Sequence, residues 1–493
     1  MKIRMMTEIM RKDLEKRIDQ WIAGKKSTLI EEVCELVRIK SVADKENEVK
    51  PFGQGCRDVV DRFIEICHRH GLETQNHSYY VAEAFDPDIE RKQGRIGLMG
   101  HLDIVPEGEG WLYPPYEGIV KGGWIIGRGA RDNKGPCLAG LYTLLCLRDL
   151  GMELKHDIRV LAGTNEENGM EDAAYYTGNC QCPDFTIVVD SPFPLCYGEK
   201  GIIEAWMVSD YPFSEHVINM TGGTVSNQVP GRAEIVLRYS KLIEERLQEK
   251  SEECEWKICG DKIHIYAKGI PGHIAFPEQT QNAIAILAEF ILERNLLISD
   301  QDRKIMTYIW KAASETDGSG LDLSCSDEIS GNLVCGCGIV KMEKGHVWLN
   351  VNARCPVTVN GSELMERLEK HAKKNAFYLE KRRVLESNYY PKEKEVIRRL
   401  STCFQRTTQL DWEPQIFNAG THARKLPNAV AYGPGCLNGL VPECEPLPEG
   451  HGGAHQPDEA QSIDALCLAL KIYILAVLEI DELDLKENGQ NYI

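Results

Sequence analysis

Arg95-Ile96-Gly97-Leu98-Met99-Gly100-His101-Leu102-Asp103 is the stretch that decides the fold: a short apolar run that ends on an imidazole and a carboxylate. Such a run reads as a strand buried on both faces, and open α/β sheets place ligands at the carboxyl ends of their strands. The pattern recurs twice. Asp157 to Gly163 ends just before Glu166-Glu167, and Phe185 to Val189 ends at Asp190. Between the first two runs lies a helix signal, Gly135 to Leu150, with Leu138, Leu141, Leu144, Leu145 and Leu147 as apolar positions and Gly151 as terminator. Alternating strand and helix signals predict an α/β lobe with a mixed, mainly parallel sheet flanked by helices.

After Gly198-Glu199-Lys200-Gly201 the character changes. Ala233 to Tyr239, Lys262 to Ala267 and Val347 to Ala353 alternate apolar and polar residues as half-buried strands do, and Asn282 to Arg294 reads as an amphipathic helix. We read this as an inserted α+β lobe. His455, a candidate ligand, lies beyond it, so the first lobe must resume downstream. The domains expected are 1–202, an insertion at 203–387, and 388–493 as the second part of the first lobe. A chain of 493 residues exceeds the size at which one core keeps growing, which agrees with two lobes.

Hydrophobic residues make up 43% and charged residues 27%, values of ordinary globular enzymes. The formal charge of −18 would repel nucleic-acid phosphates and anionic lipid, so neither is expected as a partner. The charged N-terminal segment shows no export signal, and Leu466 to Leu478, interrupted by Lys471, reads as a core helix and not a membrane span. Eighteen scattered cysteines then point to reduced thiols in a cytoplasmic protein. Cys180-Gln181-Cys182 and Cys335-Gly336-Cys337 lack the matching second pair of a structural zinc site.

His101, Asp132, Glu167, Asp190 and His455 together supply the ligands of two adjacent divalent cations. Two metals roughly 3.5 to 4 Å apart can share a hydroxide and clamp a developing oxyanion, which suits amide hydrolysis. Asp132 is the expected bridge, His101 and Asp190 completing one site and Glu167 and His455 the other. Asp103, two residues from His101, would orient that imidazole from the same face of an extended chain. Glu166 and Glu167 would point differently on an extended chain, which frees Glu166 to act as general base and then to protonate the leaving amine. Taken singly, these residues also fit turns and helix caps; their joint occurrence in five separate motifs, at least three directly after apolar strands, points to a site.

These motifs, with Trp111, Gly127-Arg128-Gly129, Gly198-Glu199-Lys200-Gly201-Ile202, Asn227-Gln228-Val229-Pro230, Gly272-His273 and the Arg354 segment, resemble a known family. It is the co-catalytic metallopeptidases that include aminoacylase, acetylornithine deacetylase and succinyl-diaminopimelate desuccinylase, and the nearest likeness is to bacterial dipeptidases of the PepV and Sapep type. The resemblance implies a catalytic lobe with an inserted lid, and zinc, manganese or cobalt as the metal pair, zinc first. It implies that His273 stabilises the oxyanion and that Asn227 and Arg354 contact the substrate, the arginine gripping its terminal carboxylate. Gly420, Thr421 and Arg424 fall on a loop that receives the same carboxylate, although Thr421 reads equally as a helix cap. A cis peptide is implied between Asp132 and Asn133. The enlarged lid implies a monomer.

The resulting expectation is a metallo-dipeptidase that attacks the peptide bond with a metal-bridged hydroxide. An N-acyl-amino-acid deacylase would use the same attack. A silent relative that only binds peptide or metal is the third reading, and the intact Glu166 and ligand set weigh against it.

Overall fold

The computed structural model describes residues 8–87, 94–247, 253–435, 437 and 440–486. The chain divides into two compact units, one built from Met1–Gly198, Tyr390–Gln415 and Gly420–Ile493, the other from Glu199–Tyr389 and Ile416–Ala419.

In the first unit the apolar runs pair side by side. The sheet order is Glu73–His77, Val81–Phe85, Asp157–Gly163, Arg95–His101, Phe185–Val188, Ala429–Ala431, Cys196–Glu199. Its four middle strands from Asp157–Gly163 to Ala429–Ala431 are parallel, and the pairings outside them are antiparallel. Parallel strands must be covered on both faces, which is why Asp157–Gly163 is buried at every position. The helix Gly135–Asp149 packs on this sheet and is buried from Gly135 through Leu147. A helix apolar around its whole circumference belongs in a core. It packs against the C-terminal helix Ile463–Ile480 and the N-terminal helix Glu8–Val37.

That N-terminal helix differs from the sequence reading, which saw only charge there. Leu14, Ile18, Ile22, Leu29, Val33 and Leu36 form a buried stripe at helical spacing, diluted by the lysines, arginines and glutamates of the exposed side. A separate three-stranded sheet pairs Ile119–Lys121 with Trp124–Ile126, and Trp124–Ile126 with Ala460–Ser462. It brings the chain just before residue 460 beside the loop that follows residue 126. No helix among the described residues is long and apolar enough to cross a membrane.

The second unit is an eight-stranded antiparallel sheet in the order Cys254–Cys259, Lys262–Lys268, Arg232–Arg238, Val217–Gly222, Val334–Glu343, His346–Cys355, Gly201–Ser209, Phe377–Leu385. Along Gly201–Ser209, Ile203, Ala205 and Met207 enter the core while Glu204 and Trp206 face away, the period-two pattern of a sheet covered on one side. Leu287, Ile291, Met306, Ile309, Leu364 and Leu368 from helices Ala283–Glu293, Asp300–Ser314 and Gly361–Lys374 complete that core.

Candidate metal centre

The carboxyl ends of the parallel strands converge. His101 closes Arg95–His101, Glu166 and Glu167 stand in the turn after Asp157–Gly163, and Asp190 follows Phe185–Val188. His101 Nδ1 lies 3.0 Å from the Asp103 carbonyl oxygen, so a ring proton there leaves Nε2 facing Asp132 Oδ1 at 3.1 Å and Asp190 Oδ2 at 3.6 Å. On the other side, His455 Nε2 is 3.1 Å from Asp132 Oδ2 and 3.0 Å from Glu167 Oε1. Asp132 therefore lies between two imidazoles with one oxygen on each. Ligand atoms of His101, Asp132 and Glu167 fall within 4.8 Å of one another, as do those of His101, Glu166 and Asp190.

Two details go beyond what the sequence shows. The chain is a turn and not extended at Glu166-Glu167. Asp103 reaches that turn as well as His101: its two oxygens accept the backbone N–H of Glu166 and of Glu167, each at 3.1 Å, and its carboxylate lies 3.4 Å from His101 Nδ1. One buried carboxylate thus sets where both glutamates leave the backbone. The side chain of Glu166 makes no hydrogen bond among the described residues.

The peptide between Asp132 and Asn133 is cis. Asn133 then turns its amide under the strand ends. Its Oδ1 accepts from His101 N at 3.3 Å, and its Nδ2 donates to Val189 O at 2.8 Å and Asp190 Oδ1 at 3.2 Å. A Cβ on Gly100 would come within 2.7 Å of that Oδ1, so only glycine admits the contact. His455 takes a left-handed backbone, φ 63°, in the loop before Ala460–Ser462.

The groups that hold these side chains were not legible in the sequence. Glu459 is fully buried; its Oε1 accepts from the amides of Gly129, Arg131 and Asp132 at 3.1, 3.1 and 3.0 Å, and its Oε2 accepts from Arg128 at 2.6 Å. The Arg128 guanidinium also stacks over Trp111. Arg128 and Trp111 stood inside quoted motifs; nothing local in the sequence distinguishes Glu459 from a surface carboxylate. Asp172 and His422 were missed too. Asp172 Oδ2 accepts from the amides of Thr164 and Asn165 at 2.7 and 2.9 Å and pairs with His422 Nε2 at 3.0 Å, and the His422 ring meets that of His101 edge to face.

Charge in the cluster is balanced toward cations. Burial opposes a charge on His101, yet the hydrogen bonds to Asp103 and Asp132 lift its pKa well above the ordinary imidazole value. Hydrogen bonds to Asp132 and Glu167 push His455 up to about 10. Burial and the Asp132 charge push Asp190 up to about 7. Burial, then the Asp190 charge, holds the Glu166 carboxyl well above its usual range. Against its burial, bonds from His101 and His455 hold Asp132 below the usual range. Four carboxylates converging on two imidazoles, with no lysine or arginine among the described residues bonded to any of the four, is a donor set that fits divalent cations.

Thr421 Oγ1 accepts from Ala423 N at 3.1 Å and so caps the short helix His422–Arg424. The Arg424 guanidinium lies against Gly420, where a Cβ would come within 2.8 Å of it. In the second unit, His273, Asn227 and Arg354 come together. His273 Nδ1 accepts from Ala275 N at 3.1 Å, which leaves the ring proton on Nε2, 3.5 Å from Asn227 Nδ2. Burial, then the Arg354 charge, lowers the His273 pKa, so the ring is a neutral donor at pH 7. Arg354 itself is buried.

Residues 97–479 match the peptidase family M20/M25/M40, and the chain belongs to that family: it is a peptidase, a hydrolase of the metallopeptidase type. YtjP of Bacillus subtilis (strain 168) is 28% identical over 476 residues, covering 93% of this chain and 98% of the relative. The Beta-Ala-Xaa dipeptidase of Lactobacillus delbrueckii subsp. lactis is 27% identical over 477 residues, covering 93% and 97%. In fold, the chain is similar to the dipeptidase Dug1p of Saccharomyces cerevisiae, with a TM-score of 0.54, 12% identity and coverage of 95% of this chain and 98% of the other.

Proposed function

We propose that this enzyme hydrolyses the peptide bond of dipeptides with two divalent cations, zinc first and manganese or cobalt as alternatives, held about Asp132. The observation that carries the reading is Asp132 itself, one oxygen on His101 and the other on His455, with Asp190 beyond the first imidazole and Glu167 on the second. When bound, such a pair lowers the pKa of water and polarises the carbonyl under attack.

The chain's own residues supply the rest. Glu166, without a hydrogen bond of its own and held near His101 and Asp190, takes the proton of the attacking water and returns it to the leaving nitrogen. Asp103 fixes that carboxylate's starting point through the Glu166 and Glu167 amides. His273 is assigned the donor for the carbonyl oxygen as it becomes an anion, the Ala275 amide on Nδ1 leaving its ring proton on Nε2. Arg354 and Asn227 are assigned to the substrate, the arginine to its carboxylate. Gly420, Thr421 and Arg424 are a second group assigned to that carboxylate; Thr421 can offer only what its capping bond leaves. Dipeptides are favoured over longer peptides by the resemblance to Beta-Ala-Xaa dipeptidase along nearly the full chain. A cytoplasmic monomer completes the reading.

Replacing Glu166 with alanine should cost roughly 10²- to 10⁴-fold in kcat while elemental analysis still finds two metals per chain. Retained turnover would exclude Glu166 as the base. Side-by-side assay of dipeptides and N-acetylated amino acids separates a dipeptidase from a deacylase, and preference for the acetylated compounds would replace this reading.

A further inference from the structure

Away from the metal centre, the first unit holds a second set of chemically paired side chains. Cys180 follows the helix Glu171–Asn179 and is partly exposed. Its Sγ lies 3.2 Å from His77 Nδ1, at the end of strand Glu73–His77. His77 Nε2 lies 2.9 Å from Glu83 Oε2, on the neighbouring strand, and Glu83 is only 3% exposed. Arg159 donates to the other Glu83 oxygen at 3.1 Å, and the Tyr176 ring stands edge-on to the imidazole. This is the order nucleophile, base, orienting carboxylate: a thiol on one ring nitrogen, and on the other an anion that fixes the tautomer.

We propose that Cys180 is a reactive thiol, activated by His77 and Glu83, whose partners are small-molecule disulfides and whose product is a mixed disulfide at this position. Exchange at sulfur needs a thiolate and access, and no oxyanion donors, so the three groups present suffice. Sγ attacks one sulfur of the reagent as His77 Nδ1 takes the thiol proton. A new S–S bond forms, the old one breaks, and the bonding pair leaves with the second sulfur. The imidazole returns the proton to that sulfur, so Cys180 is oxidised and half of the reagent is reduced to a thiol.

Neighbouring groups explain why a base is needed. Burial, with the Glu83 and Cys182 charges, raises the Cys180 thiol, so the resting sulfur keeps its proton. The titratable groups facing His77 are Cys180, Glu83 and Tyr176, with Arg159 beyond Glu83. Two other thiols serve as internal controls. Cys182 faces Thr177 instead of an imidazole, and Cys259 is the exposed thiol among the described cysteines.

The test uses the full chain with limiting 2-hydroxyethyl disulfide, an uncharged probe that the chain's −18 charge does not repel, and maps the label by peptide mass. Cys180 should take the first label at pH 7, about a hundredfold faster than Cys259, the low end of what a positioned base contributes. His77→Gln should bring Cys180 down to the Cys259 rate or below. Labelling of Cys259 first, or an unchanged Cys180 rate in His77→Gln, would overturn the proposal. Should that variant misfold, many buried cysteines will label at once, and the native pH profile decides. A Cys180 rate that stays level between about pH 7 and pH 8 supports base assistance; one that climbs about tenfold per pH unit through pH 8 marks an unassisted thiol and refutes it.

Discussion

Glu459 shows how a buried residue outside the cluster of candidate ligands can set where that cluster sits. Its carboxylate gathers three amides of one loop, those of Gly129, Arg131 and Asp132, and its charge is matched by a guanidinium that is 1% exposed. Glu459→Gln keeps the shape but leaves Arg128 buried without its counterion. We expect a loss of about 3 to 5 kcal/mol of stability by denaturant titration, the range for breaking a buried pair. A fall in kcat larger than any rise in KM should accompany it, because Asp132 would lose its backbone anchor while substrate contacts remain. Equal kinetics with reduced stability would confine Glu459 to the fold.

At the scale of elements, strand ends and helix starts are held by single carboxylates. Asp172, in the first turn of Glu171–Asn179, accepts the amides that follow the strand Asp157–Gly163 and carries the His422 contact. Gly163 leaves room for both: a Cβ there would stand 2.3 Å from Asp172 Oδ2 and 2.7 Å from His422 Cε1. Gly163→Ala should therefore cost about 1 to 3 kcal/mol from overpacking and lower kcat by displacing the turn that bears Glu166 and Glu167. A melting temperature within a degree of the parent would show that the pair moves freely.

Glu83 ties three strands together through His77, Arg159 and its own position in Val81–Phe85. Burial raises its pKa, but the bonds from His77 and the charge of Arg159 outweigh that and hold it below the usual value. A carboxylate depressed in the folded state adds stability that is complete above its unfolded pKa, about 4.3, and is lost as pH falls through the lower folded value. Glu83→Gln should thus be less stable by about 3 to 5 kcal/mol at pH 7, with the gap to the parent closing below about pH 4. Denaturant midpoints measured from pH 3 to 8 check the sign.

At the scale of the whole molecule, His101, Asp132, Glu166, Glu167, Asp190 and His455 all belong to the first unit, and the second has its own apolar core. Ligands stabilise only the unit that binds them. Chelation should abolish hydrolysis and lower the first unit's calorimetric transition, and restored zinc or manganese should raise it, while the second unit's transition stays in place. Movement of both transitions together would show that the units unfold as one.

The catalytic-lobe architecture was legible because its strands are continuous apolar runs and its central helix is leucine-rich, patterns that follow from burial on both faces. His101, Glu167 and Asp190 stood out as candidates because each follows such a run, where an acid or imidazole has little other reason to be, whereas Asp132 and His455 do not follow one. The N-terminal helix was obscured, since an apolar stripe spread over 30 residues is swamped locally by its charged side. The directions of Glu166 and Glu167 were not legible because the backbone of that turn depends on Asp103, 63 residues earlier.

Residue order alone determined the α/β class and the kinds of atoms available, because hydrophobic period and donor chemistry are local properties of a chain. Only the tertiary structure decided that Asp132 stands between His101 and His455, that Glu459 rather than another carboxylate holds its loop, and that Cys180 meets His77. Those pairings join residues 31 to 327 positions apart, and a buried charge finds its partner by proximity in the fold, which no local pattern encodes.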